Sequence, residues 1–126
     1  MRSRPALWWR YAVLLGVIAN CTLSVPGMIW PNVVLTTFRM TPVWEQPIWP
    51  AAASMLLTLL SIFYIPGALD PYRYTATAWM SLLARASGAT FFLVYWPHQY
   101  PLIGYLDLTF LILEAPLLIL ALRSRP

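Results

Sequence analysis

Four long apolar stretches account for most of the chain, and each ends at proline, tryptophan or a short polar turn. The first covers 7–29. It opens on Leu7-Trp8-Trp9-Arg10-Tyr11, a basic and aromatic collar suited to a headgroup region, and closes near Pro26-Gly27 and Trp30-Pro31. The second covers 48–65, with Pro50 in a first helical turn and Pro66-Gly67 as its stop. It is the shortest of the four, so tilt or local thinning of the bilayer is expected there. The third covers 74–96 and follows a tight turn through Asp70-Pro71, where Asp70 is placed to cap what comes next. The fourth covers 102–122 beyond Pro97-His98-Gln99-Tyr100-Pro101, with Pro116 inside it. About 20 residues at a 1.5 Å rise cross the ~30 Å hydrocarbon layer, so each stretch reads as one transmembrane helix.

Between the first two stretches, 30–49 carries Pro31, Pro42 and Pro47, which forbid one continuous helix. Val33, Val34, Leu35 and Phe38 beside Thr36, Thr37 and Arg39 predict a short helix lying in the membrane interface, with Trp44 and Trp49 at the surface. The fold class this predicts is all-α: one integral membrane four-helix bundle over residues 1–126, with a short interfacial segment between helices 1 and 2.

Composition agrees. The 126 residues are 60% hydrophobic and 10% charged, against the roughly one quarter charged of soluble domains. Mean hydropathy is +0.67. The basic start suggests a signal peptide, but no A-x-A-like cleavage site follows and Asn20 fits poorly before Cys21, so the segment is expected to be retained. Cys21 is the single cysteine, which rules out an internal disulfide and reads as helix packing.

The net charge is +4, and every cation is arginine. These residues form no stripe of the kind nucleic acid requires, so no nucleic-acid partner is expected. They collect at span ends instead. Four spans put Arg2, Arg4, Arg10, Arg73, Arg123 and Arg125 on one side and Arg39 on the other. By the positive-inside rule both termini are expected to be cytoplasmic; a bacterial inner membrane is the expected setting. Trp8, Trp9, Trp30, Trp49, Trp96 and Tyr100 map to span ends as an aromatic belt.

Three charges fall inside spans: Arg85, Asp107 and Glu114. Each is costly in lipid and should face inward with a partner. Arg85 shares a face with Ser81, Gly88 and Phe92, while Asp107 and Glu114 share one with Leu111 and Leu118. Counted back from the five-residue turn, Arg85 is level with about residue 112, ~3 Å along the axis from Glu114 and ~7 Å from Asp107. Arg85–Glu114 is therefore the expected pair, with Asp107 nearer the periplasmic surface. Asn20 of the first span and Ser54 and Thr58 of the second lie at similar depth, which predicts one polar cluster drawn from all four helices. Small residues, Ala12, Gly16 and Ala19 in the first span and Ser81, Ala84 and Gly88 in the third, allow close helix approach.

No phosphate loop, Cys/His metal cluster, Ser-His-Asp set or redox cysteine pair occurs. His98 is the only histidine and falls in a turn. No catalytic residue, metal or bound cofactor is therefore assigned, although a quinone or lipid fits the polar cluster.

The layout resembles small bacterial four-span membrane proteins distantly similar to the DoxX-like group. The likeness rests on the basic, aromatic first helix with its proline-bounded follower, on the run from Phe63 to Tyr74 (Phe-Tyr-Ile-Pro-Gly-Ala-Leu-Asp-Pro-Tyr-Arg-Tyr), and on Arg85 ahead of an acid-bearing last helix. It is a likeness of architecture and carries over no site residue. It implies an accessory role beside membrane redox systems. Small multidrug transporters are similar in length but carry their essential Glu in the first helix, where this chain has Asn20.

Two functions follow as expectations. The first is a non-catalytic accessory or structural subunit, surrounded by lipid and by other membrane subunits or further copies of itself. The second is a binder, isomerase or transporter of a lipophilic molecule or quinone, built on Arg85, Glu114, Asp107 and Asn20. They differ in whether the polar cluster is closed by packing or opens on a cavity.

Overall fold

The computed structural model describes residues 3–125. Arg2, counted above with the basic termini, and Pro126 lie outside them. The described residues contain helices and no strand: α1 (Arg4–Ile29), α2 (Pro31–Thr37), α3 (Ile48–Leu69), α4 (Thr75–Thr90) and α5 (Pro101–Arg123). A π-helical turn, Phe91–Tyr95, prolongs α4. Among these, α1, α3 and α5 are long and apolar enough to cross a membrane. Large apolar side chains such as Leu15, Ile18, Leu56, Phe63, Ile112 and Leu120 point outward. A water-soluble helix keeps its apolar residues on one face, whereas helices apolar all round belong in lipid or inside a larger protein.

Helix starts and stops follow local chemistry. Ser3 caps α1, its Oγ accepting from the Ala6 amide at 3.3 Å, and Pro5 occupies the first turn. Asp70 closes the turn before α4, its Oδ1 accepting from the amides of Tyr72 and Arg73. Two boundaries differ from the sequence reading. Helix α1 begins at Arg4, ahead of Leu7. Helix α3 continues through Pro66 to Leu69. Proline removes only its own N–H, and the helix goes on because the Asp70 amide still donates to the Pro66 carbonyl at 3.0 Å. Gly67 is there for packing: a Cβ on it would lie 2.8 Å from the Ala78 backbone nitrogen of α4. The second segment is accordingly not the shortest, and α4 has the shortest regular stretch, 16 residues.

Helices α1, α3, α4 and α5 form a ring in chain order, each touching the next and α5 returning to α1. Across the ring, α3 makes no contact with α5, nor α1 with α4, at the level of the backbone. Ser3, Tyr72 and Arg125 meet at one end: the Ser3 and Tyr72 hydroxyls lie 2.8 Å apart, and Arg125 donates to the Tyr72 carbonyl. The core fills the half next to that end, with Trp9, Val13, Val17, Tyr64, Ala68, Ala78, Leu82 and Leu118 packed together.

Trp9 is a correction to the aromatic belt. It is fully buried, and its indole N–H donates to the Gly67 carbonyl at 2.9 Å. Arg10 donates to the Leu69 carbonyl. The last turn of α3 has carbonyls that its own helix cannot satisfy, and α1 supplies the donors. Trp8, Trp30, Trp49 and Trp96 are exposed, as belt residues are.

Candidate functional site: a polar floor beneath an apolar cavity

The half of the molecule opposite the packed core is hollow. A cavity of about 470 Å³ lies inside the ring, where α3 stands away from α5. Leu23 and Gly27 of α1, Ala53, Leu57 and Leu60 of α3, Phe92 of the π turn and Ile103 of α5 form its walls. Leu35, Met40 and Val43 cover its outer end.

That cover is held by local hydrogen bonds. Helix α2 ends in a left-handed residue, Arg39 at φ 56°. The Met40 amide donates to the Leu35 carbonyl and the Arg39 amide to the Thr36 carbonyl, the two bonds of a Schellman ending, and Leu35 and Met40 are both buried. Asn32 then grips Val43 from both sides, donating to its carbonyl and accepting from its amide. The Tyr100 hydroxyl ties the 96–100 turn to the Thr41 carbonyl. The short helix expected from Val33, Val34 and Leu35 thus exists, and part of its apolar face roofs a cavity.

The floor carries the charge. Arg85 Nη1 donates to Asp107 Oδ1 at 2.9 Å and to Asn20 Oδ1 at 3.1 Å. Asn20 Nδ2 donates to Ser61 Oγ at 3.1 Å. The chain of bonds therefore joins α5, α4, α1 and α3. Because α1 and α4 face each other across the ring, the arginine side chain itself spans the interior. The guanidinium also lies over the Phe110 ring at 4.8 Å and faces the Tyr64 ring at 5.8 Å, which gives a charge in a nonaqueous site further electrostatic support. A second polar step lies nearer the roof, where the Ser24 and Thr58 hydroxyls are 2.7 Å apart.

The ion pair is Arg85–Asp107, whereas counting from the turn gave Arg85–Glu114. The π turn accounts for the difference. A π turn takes an extra residue for little added rise, so α4 reaches the 96–100 turn with fewer ångströms than a regular helix would. The regular count puts Gly88 level with about residue 109. In the structure Gly88 lies directly against Asp107, so near that a Cβ could not fit. The offset brings Asp107 within reach of Arg85.

Glu114 is buried one side away. Its Oε1 and Arg85 Nη2 flank the same point: a Cβ on Gly16 would stand 3.1 Å from the first and 2.6 Å from the second. Neither atom makes a hydrogen bond, and Arg85 Nε is likewise unpartnered. Asn20, Arg85 and Asp107 line the cavity and Glu114 does not. The residues not anticipated from the sequence are Ser61 and Tyr64. Their signal was present, since Ser54, Thr58, Ser61 and Tyr64 continue one helical face at steps of four, three and three.

A groove of about 250 Å³ lies between α3 and α4 on the outer surface, lined in part by Phe63, Met80 and Leu83. Leu60, Tyr64 and Ala84 line both the groove and the cavity, so these three side chains are the partition between them. Among the described residues no three His, Cys, Asp or Glu gather as a metal site. His98 is exposed in its turn. Comparison with protein-family models, with curated proteins and with solved structures finds no match.

Proposed function

We propose that this protein is a four-span membrane protein that binds a lipophilic molecule with a polar head in the cavity between its helices. The observation that carries the reading is the cavity's polarity gradient: apolar walls closed at one end by Arg85, Asp107 and Asn20. A purely structural ion pair would sit in closed packing. A volume of 470 Å³ falls within the range of small-molecule sites, which are mostly apolar with a few convergent polar groups.

In this reading α1, α3 and α5 cross the bilayer and α4 with its π turn completes a fourth span. Arg4, Arg10, Arg73, Arg123 and Arg125 mark the cytoplasmic end under the positive-inside rule. The cavity then occupies the outer half of the membrane, with Arg85 near mid-depth. A ligand dissolved in lipid reaches it sideways, through the groove between α3 and α4. The architectural likeness to DoxX-like proteins adds no residue to this site. Quinones, isoprenoid alcohols and amine-bearing lipophiles all fit its chemistry, and no reactive group argues for a bond-breaking step.

Purification from the native membrane in mild detergent, followed by organic extraction, tests the reading. One lipophilic molecule per chain is the expected result. A chain that brings down a stoichiometric membrane protein and no small molecule would instead favour an accessory subunit.

A further inference from the structure

Resting on the reading of the cavity as a ligand site, we infer that the head group it takes is cationic, and that its ligands are lipophilic organic cations. Two charged residues line the cavity, Arg85 and Asp107, and they are paired, so their charges cancel. The third buried charge nearby, Glu114, lies behind the lining and is acidic. In either protonation state it adds no positive charge, so the floor has no surplus to offer an anion.

Accessibility sharpens the asymmetry. The Arg85 side chain is 2% exposed and that of Asp107 16%. Arg85 Nε and Nη2 are sealed from solvent, with Nη2 turned toward Gly16 and Glu114. The cavity therefore meets a carboxylate before it meets the guanidinium. Only Oδ1 of that carboxylate engages Arg85, while Oδ2 lies against Gly88, itself a lining residue of the cavity.

The walls point the same way. Trp49, Tyr64, Phe92 and Tyr100 all contribute to the lining. Aromatic faces attract cations, and the attraction grows when water is excluded. A carboxylate and four aromatic rings lining one cavity are a recognition set for a quaternary or protonated nitrogen with a greasy body. An anionic lipid head would face Asp107, because the unpartnered guanidinium nitrogens are sealed from solvent.

The test uses the intact chain in neutral detergent and two probes of the same shape and opposite charge, tetraphenylphosphonium and tetraphenylborate. Binding is measured by equilibrium dialysis, with partition into protein-free micelles subtracted. We expect the phosphonium to bind about 10-fold or more tighter than the borate. Asp107→Asn should abolish the preference. Because that change also leaves Arg85 unpaired, Phe92→Leu serves as a second variant and should weaken phosphonium binding severalfold. Equal or tighter binding of the borate, or binding of a short-chain quinone alone, overturns the cationic head and leaves the cavity as a ligand site. Failure of the phosphonium, the borate and the quinone to bind, together with no extractable lipophile, overturns both.

Discussion

Arg85 reaches across the helix ring to hold Asn20 of α1 with the same Nη1 that binds Asp107 of α5 at 2.9 Å. One nitrogen thus ties two helices to α4 at the level where the packed half of the molecule gives way to the hollow half. Removing Asp107 alone, by Asp107→Ala, strands a buried cation. Losing one partner of a buried pair costs about 3–5 kcal/mol, while replacing both by apolar residues of similar size is close to neutral. We expect Asp107→Ala to lower thermal stability in detergent more than Arg85→Met/Asp107→Leu does. A loss in the double variant equal to the summed losses of Arg85→Met and Asp107→Leu alone would show that the residues act independently.

Gly88 and Gly16 should respond opposite to helix propensity. Gly→Ala within a helix ordinarily stabilises by about 0.5–1 kcal/mol. At Gly88 the new methyl would collide with Asp107, and at Gly16 it would meet Arg85 Nη2 and Glu114. Both changes are expected to destabilise, and Gly88→Ala should also weaken ligand binding by displacing the carboxylate. Unfolding midpoints set against Ala→Gly controls at exposed helix positions decide the sign.

Trp9 and Trp8 are neighbours with opposite environments. Trp9→Phe removes the donor to the Gly67 carbonyl inside the core, and a buried carbonyl without a partner costs about 1–3 kcal/mol. Trp8→Phe removes nothing the fold uses, since Trp8 is exposed. Parallel thermal melts should show a clear drop for the first and almost none for the second. Similar melts for both would place Trp9 in the lipid-facing belt.

Much of this architecture is legible in the sequence, because apolar runs bounded by proline and tryptophan report on lipid as solvent. The charged residues of the site are legible too, since Arg85, Asp107 and Glu114 interrupt apolar runs where charges are rare. Their pairing is not. It depends on axial register, and the π turn at Phe91–Tyr95 shifts that register without any proline or glycine to announce it. Trp9 escapes for a related reason: belt and core tryptophans have the same sequence context near a span end, and only the position of the Gly67 carbonyl separates them. The cavity is a property of helices that fail to touch, α3 and α5, and no pattern along one helix encodes a missing contact.

Ala84 is the smallest of the three residues dividing the outer groove from the cavity. Ala84→Phe should obstruct sideways entry. The expected signature is a slower association rate for a lipophilic ligand, about 10-fold, with little change in thermal stability; entry gated by a conformational step commonly shows in association kinetics. An unchanged rate would place the entrance at another face of the ring.

Ala53 lines the cavity on α3, away from the ion pair, so it allows the site to be filled without disturbing the floor. Native mass spectrometry of the protein released from its own membrane, for the wild type and Ala53→Trp, tests the ligand-site reading most directly. The expected result is a wild-type chain carrying one lipophilic molecule and an equally stable Ala53→Trp chain that carries none. Equal occupancy in the two, or a wild-type chain bare of any lipophile, would contradict it.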